Sequence, residues 1–236
     1  MSAEDTCLAL RLEGPMQAYG TSSAYNYRRT DIVPSRSAVL GMICAALGYS
    51  RGSMEEQTFL GQCRTLCMTV VTVPRRVYDR TLPTHRLKDY HTVQGTCNAM
   101  GTIRSKNGHI LSELTYRHYL TDTSFLVFLS GNRKLLQDAA AALKDPVWGI
   151  WLGRKCCIPT APVYAGLYDS QSEAMIHCLP KHLQTVSLEE LTCVADAQDI
   201  HEGEDTVWDV PECFASRDRR YTVRRVVRRY GKGTQR

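Results

Sequence analysis

Tyr116, Arg117, His118 and Tyr119 are consecutive side chains able to move protons or hold an anion, and Lys106 and His109 precede them closely. Metal-free RNA cleavage needs such a set, a general acid or base with a cation beside the scissile phosphate. On a strand, however, alternation divides the four, placing Tyr116 and His118 on one face and Arg117 and Tyr119 on the other. A second group lies between Gln17 and Asp31, where Tyr19, Tyr25, Tyr27, Arg28 and Arg29 offer ring faces and guanidinium forks. Directly after it, Pro34-Ser35-Arg36-Ser37 opens an apolar helix with Ser35 or Ser37 as N-cap. Free N–H groups and the positive dipole end would then lie beside Arg36, a corner suited to phosphate.

Two further stretches carry basic chemistry. From 75 to about 113 the chain is polar and turn-rich, with Arg75, Arg76, Arg80, His85, Arg86, Lys88 and His91 interleaved with Tyr78 and Tyr90. Basic and aromatic groups in alternation suit single-stranded RNA, and so long a stretch without structure of its own is unusual in a compact domain. From 217 to 236 there are nine basic residues against Asp218 alone, so the formal charge of +5 hides a net acidic remainder. A localised strip on an acidic body points to a polyanion contact. The segment 221–228 reads as a strand, which would fix Arg224, Arg225 and Arg228 in space; the last six residues read as a tail.

The elements that position these groups alternate between strand and helix. A buried strand over 7–12 is predicted to break at Gly14-Pro15. Helices are predicted over 37–47 and 54–66, the second opened by a Ser53/Glu56 capping box. Strands follow at 67–73 and 124–130, then a helix over 133–144 ended by Pro146. Discounting the 75–113 insert, this is an α+β chain whose order fits a ferredoxin-like βαββαβ sheet. Beyond Trp148 the pattern weakens to short strands, turns and a short helix near 188–195. The expected division is 1–150 and a β-rich part over 151–236.

Composition limits the remaining classes. A chain of 236 residues with 43% hydrophobic content can bury a sizeable core. The start, MSAEDTCLAL, has no basic n-region or long apolar run, so neither secretion, transit nor membrane insertion is expected, and the expected location is the cytoplasm. The ten cysteines lack paired zinc-knuckle spacing and read as small buried hydrophobes. With no HExxH, Asp-rich calcium loop or GxxxxGK[ST], no metal or cofactor is expected. A free-standing RRM is disfavoured because its aromatic signature is missing.

Six motifs occur in an order similar to that of a known family: GPMQAYG (14–20), PSRSAVLGMICAALGYSR (34–51), LKDYHTVQG (87–95), YRHYLTDTSFLVFL (116–129), LGRKCCIPTAPVYAG (152–166) and FASRD (214–218). With them the chain resembles the family-five CRISPR-associated proteins of the RAMP superfamily, in particular the CasD-type subunits of type I-E Cascade. The resemblance implies a ferredoxin-like domain with a β-hairpin thumb over 76–116, clasping RNA between neighbouring backbone subunits. It implies a non-catalytic subunit of an antiviral ribonucleoprotein complex, capping the crRNA 5′-handle and contacting the backbone and large subunits, with target DNA near the protospacer-adjacent motif as a further partner. Taken with the basic and aromatic stretches above, the candidate RNA contacts are Gln17, Tyr19, Arg28, Arg29, Ser35, Arg36 and Ser37, Arg76, Arg86, Lys88, His91, Arg104 and Arg117, and Arg154, Lys155, Arg217 and Arg224. The alternative is a metal-independent endoribonuclease processing CRISPR precursor RNA, as in related family members, with Tyr116, His118 and Lys106 as its working groups.

Overall fold

A computed structural model describes residues 6–20, 22, 26–77, 80–82, 84–97, 103, 107–184, 191–197 and 201–230. In chain order the elements are β1 (Thr6–Gln17), β2 (Tyr27–Arg28), α1 (Arg36–Leu47), α2 (Met54–Gln62) with a 3-10 turn at Cys63–Thr65, β3 (Cys67–Val73), β4 (Arg75–Val77), β5 (Arg80–Leu82) and β6 (His85–Gln94). They continue with β7 (Ser112–Gly131), α3 (Arg133–Lys144), β8 (Tyr164–Tyr168), α4 (Gln171–Cys178), β9 (Cys193–Asp196), β10 (Asp205–Cys213) and β11 (Arg220–Arg229).

The order β3-β7-β1-β8, with α1 and α2 between β1 and β3 and α3 between β7 and β8, is the ferredoxin-like arrangement the sequence predicts. Beyond β3 the sheet continues through β9, β11 and β10, so the chain after residue 150 extends the same sheet. One strand of the extension is sequence-encoded: the segment 221–228, expected as a strand, lies inside β11, between β10 and β9.

Phe125, Leu126, Val127, Phe128 and Leu129 are all buried because β7 is covered on both faces. Leu8, Leu10, Leu12, Phe125, Val127 and Leu129 pack with α1, α2 and α3. Cys7, Ala9, Leu126 and Phe128 pack with α4 on the other side. That second layer was not legible beforehand, although Ser170 and Glu173 form the S-x-x-E start signal, with Ser170 Oγ accepting from Glu173 N.

The helix predicted over 54–66 ends at Gln62 and tightens into a 3-10 turn, and three further boundaries differ from the sequence reading. β1 runs through Gly14-Pro15 to Gln17, because Gly14 opposes Thr123 and Met16 opposes Thr121 on β7, and a Cβ at Gly14 would meet the Ile158 carbonyl oxygen at 2.8 Å. β7 begins at Ser112 rather than 124, since its first half pairs with β6 from His85↔Thr121 to Gln94↔Ser112. A β-hairpin was expected over 76–116; the observed one pairs 85–94 with 112–121 and grows directly out of the central strand, while β4 and β5 pair separately. The helix expected near 188–195 is instead β9 from Cys193 onward, where pairing with β3 and β11 overrides local propensity, while 188–190 lie outside the described residues.

A candidate nucleic-acid cleft on the open face of α1

α1 is apolar nearly all round, but not uniformly large. Val39, Leu40, Ile43 and Ala46 enter the core, whereas Ala38, Gly41 and Ala45 line up on the opposite side at helical spacing. These small side chains floor a cleft of about 690 Å³. Its walls come from Gly20 and Arg28-Arg29, from Arg51 after the helix, from the 148–155 loop, and from Phe214, Arg219 and Tyr221 around the β10–β11 turn.

Six cations line this cleft: Arg28, Arg29, Arg51, Arg154, Lys155 and Arg219. Among the described residues none of them is joined to a carboxylate. The acid in the lining, Glu56, is buried and its Oε2 accepts from Gly52 N at 2.8 Å and Phe214 N at 3.1 Å. Ser53 Oγ accepts from Glu56 N, so half of the predicted capping box forms, while the Glu56 carboxylate fastens the β10–β11 turn to α2. Aromatic surface is contributed by Tyr49, Trp148, Trp151, Phe214 and Tyr221.

The loop segments are held by short-range and long-range bonds. Val147 N donates to Ala46 O and Trp148 N to Ala45 O, anchoring the 147–151 stretch to the last turn of α1. Gly153 has φ +96°, and a Cβ there would lie 1.8 Å from the Ala18 carbonyl oxygen, so only glycine allows this approach. Arg154 acts partly as a clip: Nη1 donates to His118 O at 3.1 Å and Nη2 to Arg28 O at 2.8 Å, with the guanidinium 4.6 Å from the Tyr119 ring centre.

Several residues assigned to RNA from sequence are internal supports. Gln17 is fully buried, its Nε2 donating to Thr123 O at 2.6 Å and its Oε1 accepting from Tyr19 OH at 2.6 Å. Tyr19 is locked beneath the cleft, with Tyr19 N donating to Thr30 Oγ1, and burial pushes its phenol well above the ordinary range. Ser35 is the buried N-cap, accepting from Ala38 N, and its Oγ lies 3.1 Å from that of Ser37. The corner beside Arg36 is already filled by an anion of the protein itself: Arg36 N donates to Asp209 Oδ2 at 2.7 Å. Arg36 is 3% exposed, and its Nη groups donate to Asp196 Oδ2, Cys63 O and Leu66 O, each at 2.6 Å. Arg224 is likewise internal, donating through Nε and Nη2 to Asp209 and through Nη1 to Asp196 Oδ1. Burial opposes its charge, but Asp209 and Asp196 outweigh that and raise its pKa. Arg228, the other strand arginine expected to meet phosphate, pairs with Asp205 at 2.9 Å.

The hairpin carries the rest. Arg86, Lys88 and His91 are exposed on β6, with His91 Nδ1 3.3 Å from Asp89. Lys88 and Tyr90 share a face with His118 and Tyr116, which they oppose directly. Tyr116 stacks on Tyr27 at 5.0 Å, meets Tyr90 at 5.3 Å and lies under Lys88 Nζ at 4.5 Å. His118 Nδ1 is buried, and Arg117 Nε donates to Thr115 Oγ1. Arg76 belongs to β4, Arg217 is exposed in the β10–β11 turn, and Arg104 and Lys106 lie outside the described residues. Arg51, Arg219, Trp148 and Trp151 escaped the sequence reading. LGYSR after a helix-ending glycine and the W-x-x-W spacing were the available signals.

The molecule is thus a ferredoxin-like sheet carrying a basic hairpin and a basic, aromatic-lined cleft. The profile described as CRISPR-associated protein (Cas_Cas5) matches residues 7–227, and the chain belongs to this CRISPR-associated Cas5 family. It is 33% identical over 165 residues to "CRISPR system Cascade subunit CasD" of Escherichia coli (strain K12), covering 67% of this chain and 70% of that one. Among solved structures it is similar to a chain of a "CRISPR RNA-guided surveillance complex", with TM-score 0.68, 28% identity and 94% and 90% of the two chains covered. It is also similar to a "Crystal structure of Cas protein", with TM-score 0.60, 27% identity and coverage of 94% and 93%.

Proposed function

We propose that the chain is the RNA-holding Cas5-type subunit of a type I-E Cascade surveillance complex, seating the crRNA 5′-handle in the cleft over α1. The observation that carries this reading is six cations that have no carboxylate partner among the described residues, around a floor of small side chains, which leaves room and charge for a phosphodiester chain. The hairpin of β6 and β7, exposed and basic, reaches RNA backbone and the adjacent backbone subunit. The large subunit, and target DNA near the protospacer-adjacent motif, are its further partners in the complex. The work is cytoplasmic and needs no cofactor.

The subunit is read as non-catalytic. Tyr116, the best-placed acid or base of the alternative nuclease reading, has its ring covered by Tyr27, Tyr90 and Lys88, which supports a structural role. Incubation with repeat-containing RNA in chelator should leave it intact; cleavage that Y116F or H118A abolishes would overturn this part. Co-expression with the neighbouring subunits and a CRISPR array, followed by affinity purification, tests the whole. The expected product is one multisubunit particle with one RNA of defined length, and R28Q/R29Q should deplete that RNA. Full RNA occupancy and assembly without these charges would contradict the assignment.

A further inference from the structure

Trp148 and Trp151 stand out in the cleft because indoles are seldom left in water without a use. Trp148 is 44% exposed and Trp151 38% exposed, and both line the same basic space. Neither is a loose side chain on a loose loop. Trp148 N is bonded to the last turn of α1, and Trp151 lies over Gly149, where a Cβ would meet its ring at 3.0 Å. Two residues on, Gly153 is pressed against the Ala18 carbonyl, which fixes the backbone after Trp151. The backbone that carries the two indoles is therefore held in position beforehand, which lowers the entropy lost on binding.

We infer that Trp148 and Trp151 form a stacking ledge for unpaired nucleobases of single-stranded RNA whose phosphates lie on the surrounding arginines. This rests on the reading of the cleft as the RNA seat and goes beyond it by assigning the base-binding groups. The chemistry favours a base over a protein side chain as occupant, because the indoles sit among six cations, where a polyanion with π faces satisfies both features at once. Stacking is tolerant of base identity, so the ledge positions the RNA and reads little sequence.

The test uses the full chain carrying W208F, which removes the exposed tryptophan on β10 and leaves emission from the two ledge indoles. A short fluorescein-labelled single-stranded RNA is titrated at low salt by anisotropy, and an unlabelled one by tryptophan quenching. The expected result is quenched emission, an affinity loss of about fivefold or more in W148A/W151A with the salt slope unchanged, and recovery in W148F/W151F. R28Q/R29Q should instead flatten the salt slope. Unquenched emission with unaltered affinity in W148A/W151A, while R28Q/R29Q still weakens binding, would overturn the ledge and leave the RNA seat standing. Absence of binding by the chain with native arginines, or insensitivity to R28Q/R29Q, would remove the seat and the ledge with it. Loss of neighbouring protein subunits from W148A/W151A pull-downs, with RNA affinity unaltered, would assign the indoles to a protein contact and overturn the proposal.

Discussion

Arg36 and Arg224 hold the two oxygens of a single carboxylate: Arg36 Nη1 lies 2.6 Å from Asp196 Oδ2, and Arg224 Nη1 bonds Oδ1. Asp209 closes the ring by taking the Arg36 backbone N–H and the Nε and Nη2 donors of Arg224. Asp196 Oδ2 also accepts from Met68 N. Two guanidinium and two carboxylate groups thus balance one another where α1, β3, β9, β10 and β11 meet.

Removing either arginine leaves two largely buried carboxylates facing a single guanidinium, an uncompensated charge that costs about 3–5 kcal/mol in such networks. Arg36→Ala and Arg224→Ala should each lower the unfolding free energy in urea by that amount. R28Q and R29Q, on the exposed rim, should leave it within about 0.5 kcal/mol. Urea unfolding followed by circular dichroism separates the two classes; a wild-type midpoint for Arg36→Ala would show the network to be dispensable.

This network marks where the sequence misled. A polar loop, a serine cap and an arginine at a helix start have the composition of a phosphate site, and only Asp209, far along the chain, reveals that the anion is internal. The same long-range cause hid β9, whose strand conformation comes from pairing on both sides. The ferredoxin-like order, β3, α3 and β11 were legible because hydrophobic period and caps encode them locally. Arg28, Arg29, Arg154 and Lys155 were singled out by residue type alone and the fold brings them to one cleft, whereas Arg51, Arg219 and the two tryptophans are picked out only by folding.

Gly153→Ala tests how the 148–155 loop is held. The backbone conformation alone costs an alanine about 1–3 kcal/mol, and the Ala18 carbonyl contact adds to it. The expected phenotype is a lowered melting temperature together with weakened RNA binding, while Gly61→Ala, with open space around its Cβ position, should be tolerated. Equal melting temperatures for the two variants would contradict the close approach.

Replacing 84–108 with a short Gly-Ser link removes β6, which contributes no buried side chain. Cooperative unfolding should persist with a modest loss of stability, while co-purification with the neighbouring backbone subunit should fail. A chain that no longer unfolds cooperatively would show that the hairpin builds the core.

Stability should fall as pH rises above about 9. Burial pushes the Cys7 thiol from 9.0 up to about 11 and the Cys63 thiol up to about 12, the latter despite Arg36 nearby. Between those values the unfolded chain loses protons that the folded chain keeps, so each thiol removes up to about 1.4 kcal/mol per pH unit. Urea midpoints from pH 8 to 11 should decline less steeply in C7A/C63A than in wild type. Parallel slopes would contradict the inward placement of these thiols.

The salt dependence of RNA binding tests the central claim most directly, because each phosphate held by a cleft cation contributes a slope of about 0.7 in log affinity against log salt. The measurement compares wild type with R28Q/R29Q/R51Q/R219Q on a single-stranded handle-length RNA between low and physiological salt. The predicted result is a slope reduced by between about 1.5 and 3 with the urea midpoint preserved. A quadruple variant that binds with the wild-type affinity and slope would contradict the cleft as the seat of the RNA.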